Sequence, residues 1–422
     1  MGITQNLIDN YVAILEEELV VAMGCTEPIA IAYASSVLRS LLKENPKKIK
    51  AGFSGNIIKN VKSVIVPATG GQNGLETAVC AGIIANAPER KLEVLCGLTP
   101  ADAEKILRYK SAVEIEVYEI ETENQFEVDL TADGAHVHFE KRHTNITLAE
   151  YNGIDYTEKY GSKEQIIGES TPRDTLNVKS IVEFADTVPL ERVKDLIKRQ
   201  IDLNYAIAKE GLKGEWGACI GKTLLSGGTD TRIRARAYAS AGSDARMSGC
   251  EMPVCIISGS GNQGMTASIP VIIYAKDMGS SEEELIRAIL VSDLITIHQK
   301  TGIGCLSAYC GAISAGCGCG CGIAYLKGGK YNEIAHTLVN AVAILSGTIC
   351  DGAKASCAAK IAMAVEAGIM GFEMMRSGHE FVGGDGIVTK GVENTIKNIG
   401  RLARQGMSET DKEIIRIMLE TK

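Results

Sequence analysis

The sequence predicts an α+β fold in which a large, mostly helical domain, residues 1–46 and 172–422, is interrupted by a smaller inserted α/β domain at 47–171. Three observations predict it. Apolar residues recur at helical spacing near the N-terminus, then give way after Lys47 to short β-type runs. Beyond a polar stretch from Tyr151 to Pro172 the chain becomes rich in glycine and alanine and poor in aromatics, a composition that permits close helix–helix approach. With 422 residues, 45% of them hydrophobic and only 9 prolines, the chain is long and apolar enough to bury a sizeable core.

Taken in order, Leu7, Tyr11, Ile14, Leu15 and Leu19 mark a first helix within residues 6–44. It breaks at Gly24-Cys25-Thr26-Glu27-Pro28, and a second helix runs from Ile29 to Leu42. Thr26 is a candidate N-cap and Pro28 suits an early helical position, so Cys25 stands just outside a helix N-terminus, where the dipole favours a thiolate. The insert carries β-type runs at 49–53, 61–66, 92–95, 113–120, 126–130 and 135–141, with helices expected at 75–87 and 100–109. Helices at 180–185 and 190–209 open the C-terminal part, and no solenoid-period repeat is present.

A formal charge of -8 and the lack of a long basic run argue against nucleic acid. The N-terminal segment lacks a basic start and is interrupted by Glu16, Glu17 and Glu18, so a signal peptide is not expected, and the apolar stretch 338–349 runs into Asp351 and Lys354 rather than spanning a membrane. The expected protein is cytoplasmic, with homo-oligomerisation compatible with its small-residue helices. In such a reducing compartment, 13 cysteines divide between core packing and metal or redox chemistry rather than forming a disulfide framework.

Three glycine-rich loops, 68–74, 225–230 and 258–264, each precede a helix-like run, so their N–H groups suit an anion. Gly259, Gly261 and Gly264 have dinucleotide-fingerprint spacing, but Pro270 follows and no acidic residue sits at ribose distance. Amide side chains in two loops suit an amino acid instead, making Thr69, Gly71, Gln72 and Asn73, with Ser258, Ser260, Asn262 and Gln263, the candidate substrate-binding residues.

The densest cysteine region holds Cys305 and Cys310, then Cys317, Cys319 and Cys321 alternating with glycine. Neither zinc-type pairs nor ferredoxin-type runs occur, and the alternating three fit a tightly packed core. At Gly347–Lys354 an apolar helix breaks around Cys350, Asp351 and Lys354, a costly break in a buried segment unless something binds there; Cys357 reads as core. His298 and Lys300 end a helix beside the cysteine-rich segment.

Together GCTEP around Cys25, LSAYCGA around Cys310 and ICDGAKASC around Cys350 resemble the L-cysteine desulfidase family, which is related to the catalytic α-chain of the iron–sulfur L-serine dehydratases. The TGGQNG, SGSGNQG and FVGGDGIV segments extend the resemblance over the full length. The resemblance implies a 4Fe-4S cluster held by Cys25, Cys310 and Cys350, with one open iron as Lewis acid. It implies β-elimination of L-cysteine to sulfide, pyruvate and ammonia, with no pyridoxal phosphate (PLP). His298, Lys300, Lys354 and Glu27 are the candidate bases. An L-serine dehydratase using the same cluster is the alternative, followed by a non-catalytic iron–sulfur redox sensor.

Overall fold

A computed structural model describes residues 3–122, 124–161, 171–304 and 306–420. It has the expected class: a helical body with a smaller mixed sheet. In chain order the N-terminal part comprises α1 (Gln5–Glu18), β1 (Val21–Met23), α2 (Thr26–Leu41), β2 (Lys48–Ser54), α3 (Gly55–Val61), α4 (Leu75–Ala85) and α5 (Pro100–Ala112). The sheet continues with β3 (Glu114–Ile120), β4 (Glu127–Ala132), β5 (Ala135–Glu140), β6 (Ile146–Tyr151) and β7 (Ile154–Asp155), and closes with the one-turn α6 (Thr157–Tyr160). The remainder is α7 (Val178–Thr187), α8 (Lys194–Lys213), α9 (Ile220–Ser226), α10 (Thr231–Met247), β8 (Pro253–Cys255), α11 (Gly261–Met278), α12 (Glu282–Ile303), α13 (Gly311–Leu326), α14 (Tyr331–Leu345), α15 (Cys357–Arg376), α16 (Val392–Arg401) and α17 (Ser408–Glu420).

The six strands run β3-β2-β4-β5-β6-β7, with β2 and β3 parallel and the rest antiparallel. Alternation sets the buried face: Val128, Leu130 and Ala132 of β4 point inward beside Val137 and Phe139 of β5. That face packs on α2, which also touches α4. A Cβ on Gly82 of α4 would stand 2.1 Å from the Ala32 carbonyl oxygen of α2, so only glycine allows this crossing. The N-terminal and C-terminal segments of the helical body meet in a second, two-stranded sheet, β1 with β8.

Two of the expected strands do not form. Residues 61–66 contain the end of α3 and an irregular buried segment before Pro67, and 92–95 lie in a helical turn; short apolar runs satisfy either geometry, and tertiary burial decides. The expected strand at 113–120 is β3, whereas β6 falls outside the expected runs. Pro270 lies within α11 rather than ending it.

Helix α13 has the sequence GAISAGCGCGCGIAYL and is buried from Ala312 to Ala324. Its glycines let neighbours approach at backbone distance. A Cβ on Gly320 would lie 2.4 Å from the Gly368 oxygen of α15, one on Gly368 would lie 2.1 Å from the Gly316 oxygen, and one on Gly318 would meet the Ser292 oxygen of α12 at 2.5 Å. Cys317, Cys319 and Cys321 fill the same interfaces as small apolar residues, as expected. The core also holds Asp293 on α12, whose carboxyl accepts from Gln200 (3.1 Å) and is pushed up to about 8 by burial.

Two stability predictions follow from this packing. Gly368→Ala places a methyl group against backbone and is expected to cost roughly 1–3 kcal/mol in chemical denaturation; an unchanged midpoint would mean that α13 and α15 are not in backbone contact. Asp293 keeps its proton in the folded state while the unfolded chain releases it, so stability falls as pH rises from the ordinary 3.8 to about 8. Asp293→Asn is expected to flatten that slope by up to about 1.4 kcal/mol per pH unit, read from denaturation midpoints across the range; parallel profiles would show the carboxyl already ionised in the folded state.

Candidate active site

Four thiols, those of Cys25, Cys310, Cys350 and Cys357, line one cavity. Three of them are placed by helix starts. Cys25 is the N-cap of α2, Cys310 the N-cap of α13 and Cys357 the first residue of α15. Helix N-termini present positive dipole ends and unpaired N–H groups, so all three suit anionic sulfur. Cys350 reaches the cavity differently. The segments around Cys310 and Cys350 pair antiparallel at Tyr309 and Ile349, with Cys310 N–H donating to Thr348 O (3.0 Å) and Cys350 N–H to Ala308 O (2.7 Å). That short ladder holds the two sulfurs side by side.

Their electrostatic surroundings differ. The Cys310 thiol donates to the Cys350 sulfur, which raises Cys310 and lowers Cys350; burial opposes ionisation of both, and the charges of Lys59 and Lys360 favour thiolate at Cys350. Cys357 feels the charge of Cys350 and in turn weighs on Cys310. Cys25 faces other partners. Burial pushes it well above the usual thiol value, as does the adjacent Glu27 carboxylate, to which its Sγ donates at 3.1 Å.

Glu27 is buried, and burial alone would raise it, but the nearby His143 ring, the Cys25 donor and the charge of Arg246 together hold it down to about 2. It is therefore a buried carboxylate. His143 Nε2 stands 3.8 Å from Glu27 Oε1, and its ring packs on Phe126 with centroids 4.5 Å apart. His143 belongs to the β5–β6 connection, so the sheet region supplies part of the wall.

The loop before α11 continues this wall: a Cβ on Gly259 would stand 2.6 Å from the His143 ring. Ser258 holds φ +47°, a strained left-handed conformation for a non-glycine residue, and is pinned by Ser258 N–H donating to Glu18 Oε2 (2.9 Å). Gly259 accepts from Thr26 Oγ1 (2.7 Å). Asn262 and Gln263 then open α11, with Arg246 of α10 beside them: 2% exposed, Nη1 donating to Asn262 Oδ1 at 3.2 Å.

Of the expected residues, Cys25, Cys310, Cys350, Glu27, Lys300, Ser258, Ser260, Asn262 and Gln263 line this cavity. The others stand elsewhere. The loop carrying Thr69, Gly71, Gln72 and Asn73 folds on itself, with Thr69 Oγ1 donating to Val66 O (2.7 Å) and Asn73 paired with Ile65. Its role is to brace the Cys25 turn: a Cβ on Gly24 would meet Pro67 at 2.3 Å. His298 bonds Glu393 (2.7 Å), tying α12 to α16. Lys354 pairs with Asp351 (2.5 Å) behind the Cys350 loop. Cys357, expected in the core, is in the cavity wall because the chain turns back at Gly352. Cys305 lies outside the described residues.

His143 and Arg246 escaped the sequence reading. His143 sits between strands with no periodic signature. Arg246 did have one: it is the large charged residue in Ala-Ser-Ala-Gly-Ser-Asp-Ala-Arg, a helix of small residues buried on all sides.

Among the described residues no group of three or more His, Cys, Asp or Glu side chains surrounds a common point closely enough for a single metal ion. A cluster makes a different demand, since each thiolate binds its own iron, and several thiols facing one cavity meet it in kind. A further charged cavity adjoins this one, sharing His143, Ser258, Gly259 and Lys300. No helix among the described residues is long and apolar enough to cross a membrane.

The family model for the serine dehydratase alpha chain matches residues 35–416. The chain is 55% identical to a UPF0597 protein of Desulfitobacterium hafniense over 414 residues, covering 97% of this chain and 96% of that one. A UPF0597 protein of Treponema denticola is 44% identical with 100% of both chains covered, and one of Lachnoclostridium phytofermentans is 45% identical over 96% of this chain and 98% of its own. With its cysteines gathered at helix starts around one pocket and nearly its whole length matched, the chain belongs to the serine dehydratase alpha chain family.

Proposed function

We propose that the protein is an iron–sulfur lyase that converts L-cysteine to sulfide, pyruvate and ammonia. The observation that carries this reading is the convergence of Cys310, Cys350 and Cys357 on one cavity beside an ionised, buried Glu27. The choice of L-cysteine over L-serine rests on the resemblance of the GCTEP, LSAYCGA and ICDGAKASC segments to the desulfidases.

Cys310 and Cys350, held side by side by the Tyr309–Ile349 pairing, would hold a 4Fe-4S cluster with Cys357, the first residue of α15, as third ligand. The family resemblance implies Cys25 as the third ligand instead; Cys25 lines the same cavity and donates to Glu27. Bound with three protein ligands, such a cluster supplies an open iron whose Lewis acidity favours departure of the β-sulfur. The chain's own residues do the rest. Glu27, with the Cys25 thiol hydrogen-bonded to it, takes the α-proton as the C–S bond breaks, and the electron pair of the C–H bond becomes the new C=C bond. The resulting aminoacrylate tautomerises to an imine, and water hydrolyses it to pyruvate and ammonia with no net redox change. The Ser258–Ser260 backbone, fixed by Glu18 and Thr26, walls the substrate in.

The test is protein purified and reconstituted without oxygen, then assayed for sulfide and pyruvate with each amino acid. Sulfide from L-cysteine is expected; pyruvate from L-serine alone would establish the dehydratase reading that the family match also favours. Glu27→Gln is expected to retain iron while lowering kcat by about 10²-fold or more. Cys357→Ser is expected to lose iron and Cys25→Ser to keep it with impaired turnover; the reverse pattern would restore Cys25 as a ligand.

A further inference from the structure

We propose that Arg246, with the N-terminus of α11 and the Gln263 amide, forms a receptor for the zwitterionic head of the substrate, so that the site takes α-amino acids with a free carboxylate. This deepens the lyase reading and rests on it for the identity of the substrate, but its evidence is independent of the cysteines.

Arg246 is 2% exposed and permanently charged. Its Nη1 is used by Asn262, yet Nε and Nη2 have no hydrogen-bond partner, and no carboxylate stands within ion-pairing distance of it among the described residues. A buried cation left incomplete in this way is costly unless a ligand completes it. Nε and Nη2 are the adjacent donors of one guanidinium edge, the parallel fork that matches the two oxygens of a carboxylate. That edge lies against the first residue of α11: a Cβ on Gly261 would stand 2.5 Å from Nε, so glycine is what leaves room there. The Ser260 N-cap makes no side-chain hydrogen bond, and the first-turn N–H groups of α11 add a second source of positive potential at the same point. Both features call for an anion.

Gln263 supplies the opposite polarity. It is 4% exposed, packs against Gly311, and its Oε1 has no partner among the described residues. An amide oxygen of this kind accepts from an ammonium. Arg246 and Gln263 both line the cavity, so buried unsatisfied donors and a buried unsatisfied acceptor belong to one wall, which is the polarity pattern of an α-amino acid.

The experiment uses ligands that cannot react. The purified protein, with or without iron, is titrated by calorimetry with L-alanine and with L-alaninamide, which keeps the ammonium and lacks the carboxylate. L-Alanine is expected to bind at least about tenfold more tightly than the amide, and Arg246→Lys, which keeps the charge but not the fork, is expected to lose most of that preference. Equal affinity for the two ligands, no binding of L-alanine, or an unchanged preference in Arg246→Lys would each overturn the proposal. The comparison in the unmodified protein decides even if the variant folds poorly. Because no turnover is read, absence of sulfide production would sink the lyase reading while leaving this result standing.

Discussion

Backbone contact around α13 is the constraint on which the rest of the structure depends. With glycine or cysteine at every position from Gly316 to Gly322, the helix meets α12 and α15 without an intervening layer of side chains. Such closeness fixes axial positions as well as distances, because a helix seated backbone to backbone cannot slide by part of a turn without a clash. The N-termini of α13 and α15 are consequently held at one cavity, with Cys310 and Cys357 at their tips. The Tyr309–Ile349 pairing adds Cys350 to the same point.

Burial at that point makes electrostatics decisive. Water is largely excluded, so charges are weakly screened, and the thiols fall into two environments. Cys350 lies in the field of Lys59 and Lys360, which favours a thiolate; Cys25 lies beside a carboxylate, which favours a thiol. Lys59 is itself held by Asp411 of the C-terminal helix α17, so an element distant in sequence supports the charge balance at Cys350. The sheet contributes His143, whose neighbour Glu27 stays ionised despite its burial. A helical scaffold thus positions the sulfurs, and an inserted sheet helps to tune the proton chemistry beside them.

Much of this was legible in the sequence. The division into helical and sheet-bearing parts followed from periodicity, and Cys25, Cys310 and Cys350 stood out because each interrupts a helix or precedes one. What stayed hidden was what periodicity does not encode. Cys357 reads as the next residue of an apolar helix, and only the turn at Gly352 brings it to the cavity. The 68–74 loop has the residues of an anion site, yet its hydrogen bonds close internally. His298 borders the cysteine segment in sequence but points to Glu393 on another helix. Arg246 was readable in principle, as a guanidinium at the end of the small-residue half of its helix.

The most direct test of a thiolate-held cluster acting at an open iron is Mössbauer spectroscopy of the oxygen-free, iron-57-reconstituted protein before and after addition of L-cysteine. The expected spectrum is that of a 4Fe-4S centre in which the signal of one iron in four shifts on addition while the other three hold. A protein that binds no iron under these conditions, or a cluster whose four irons are all indifferent to the amino acid, would contradict it.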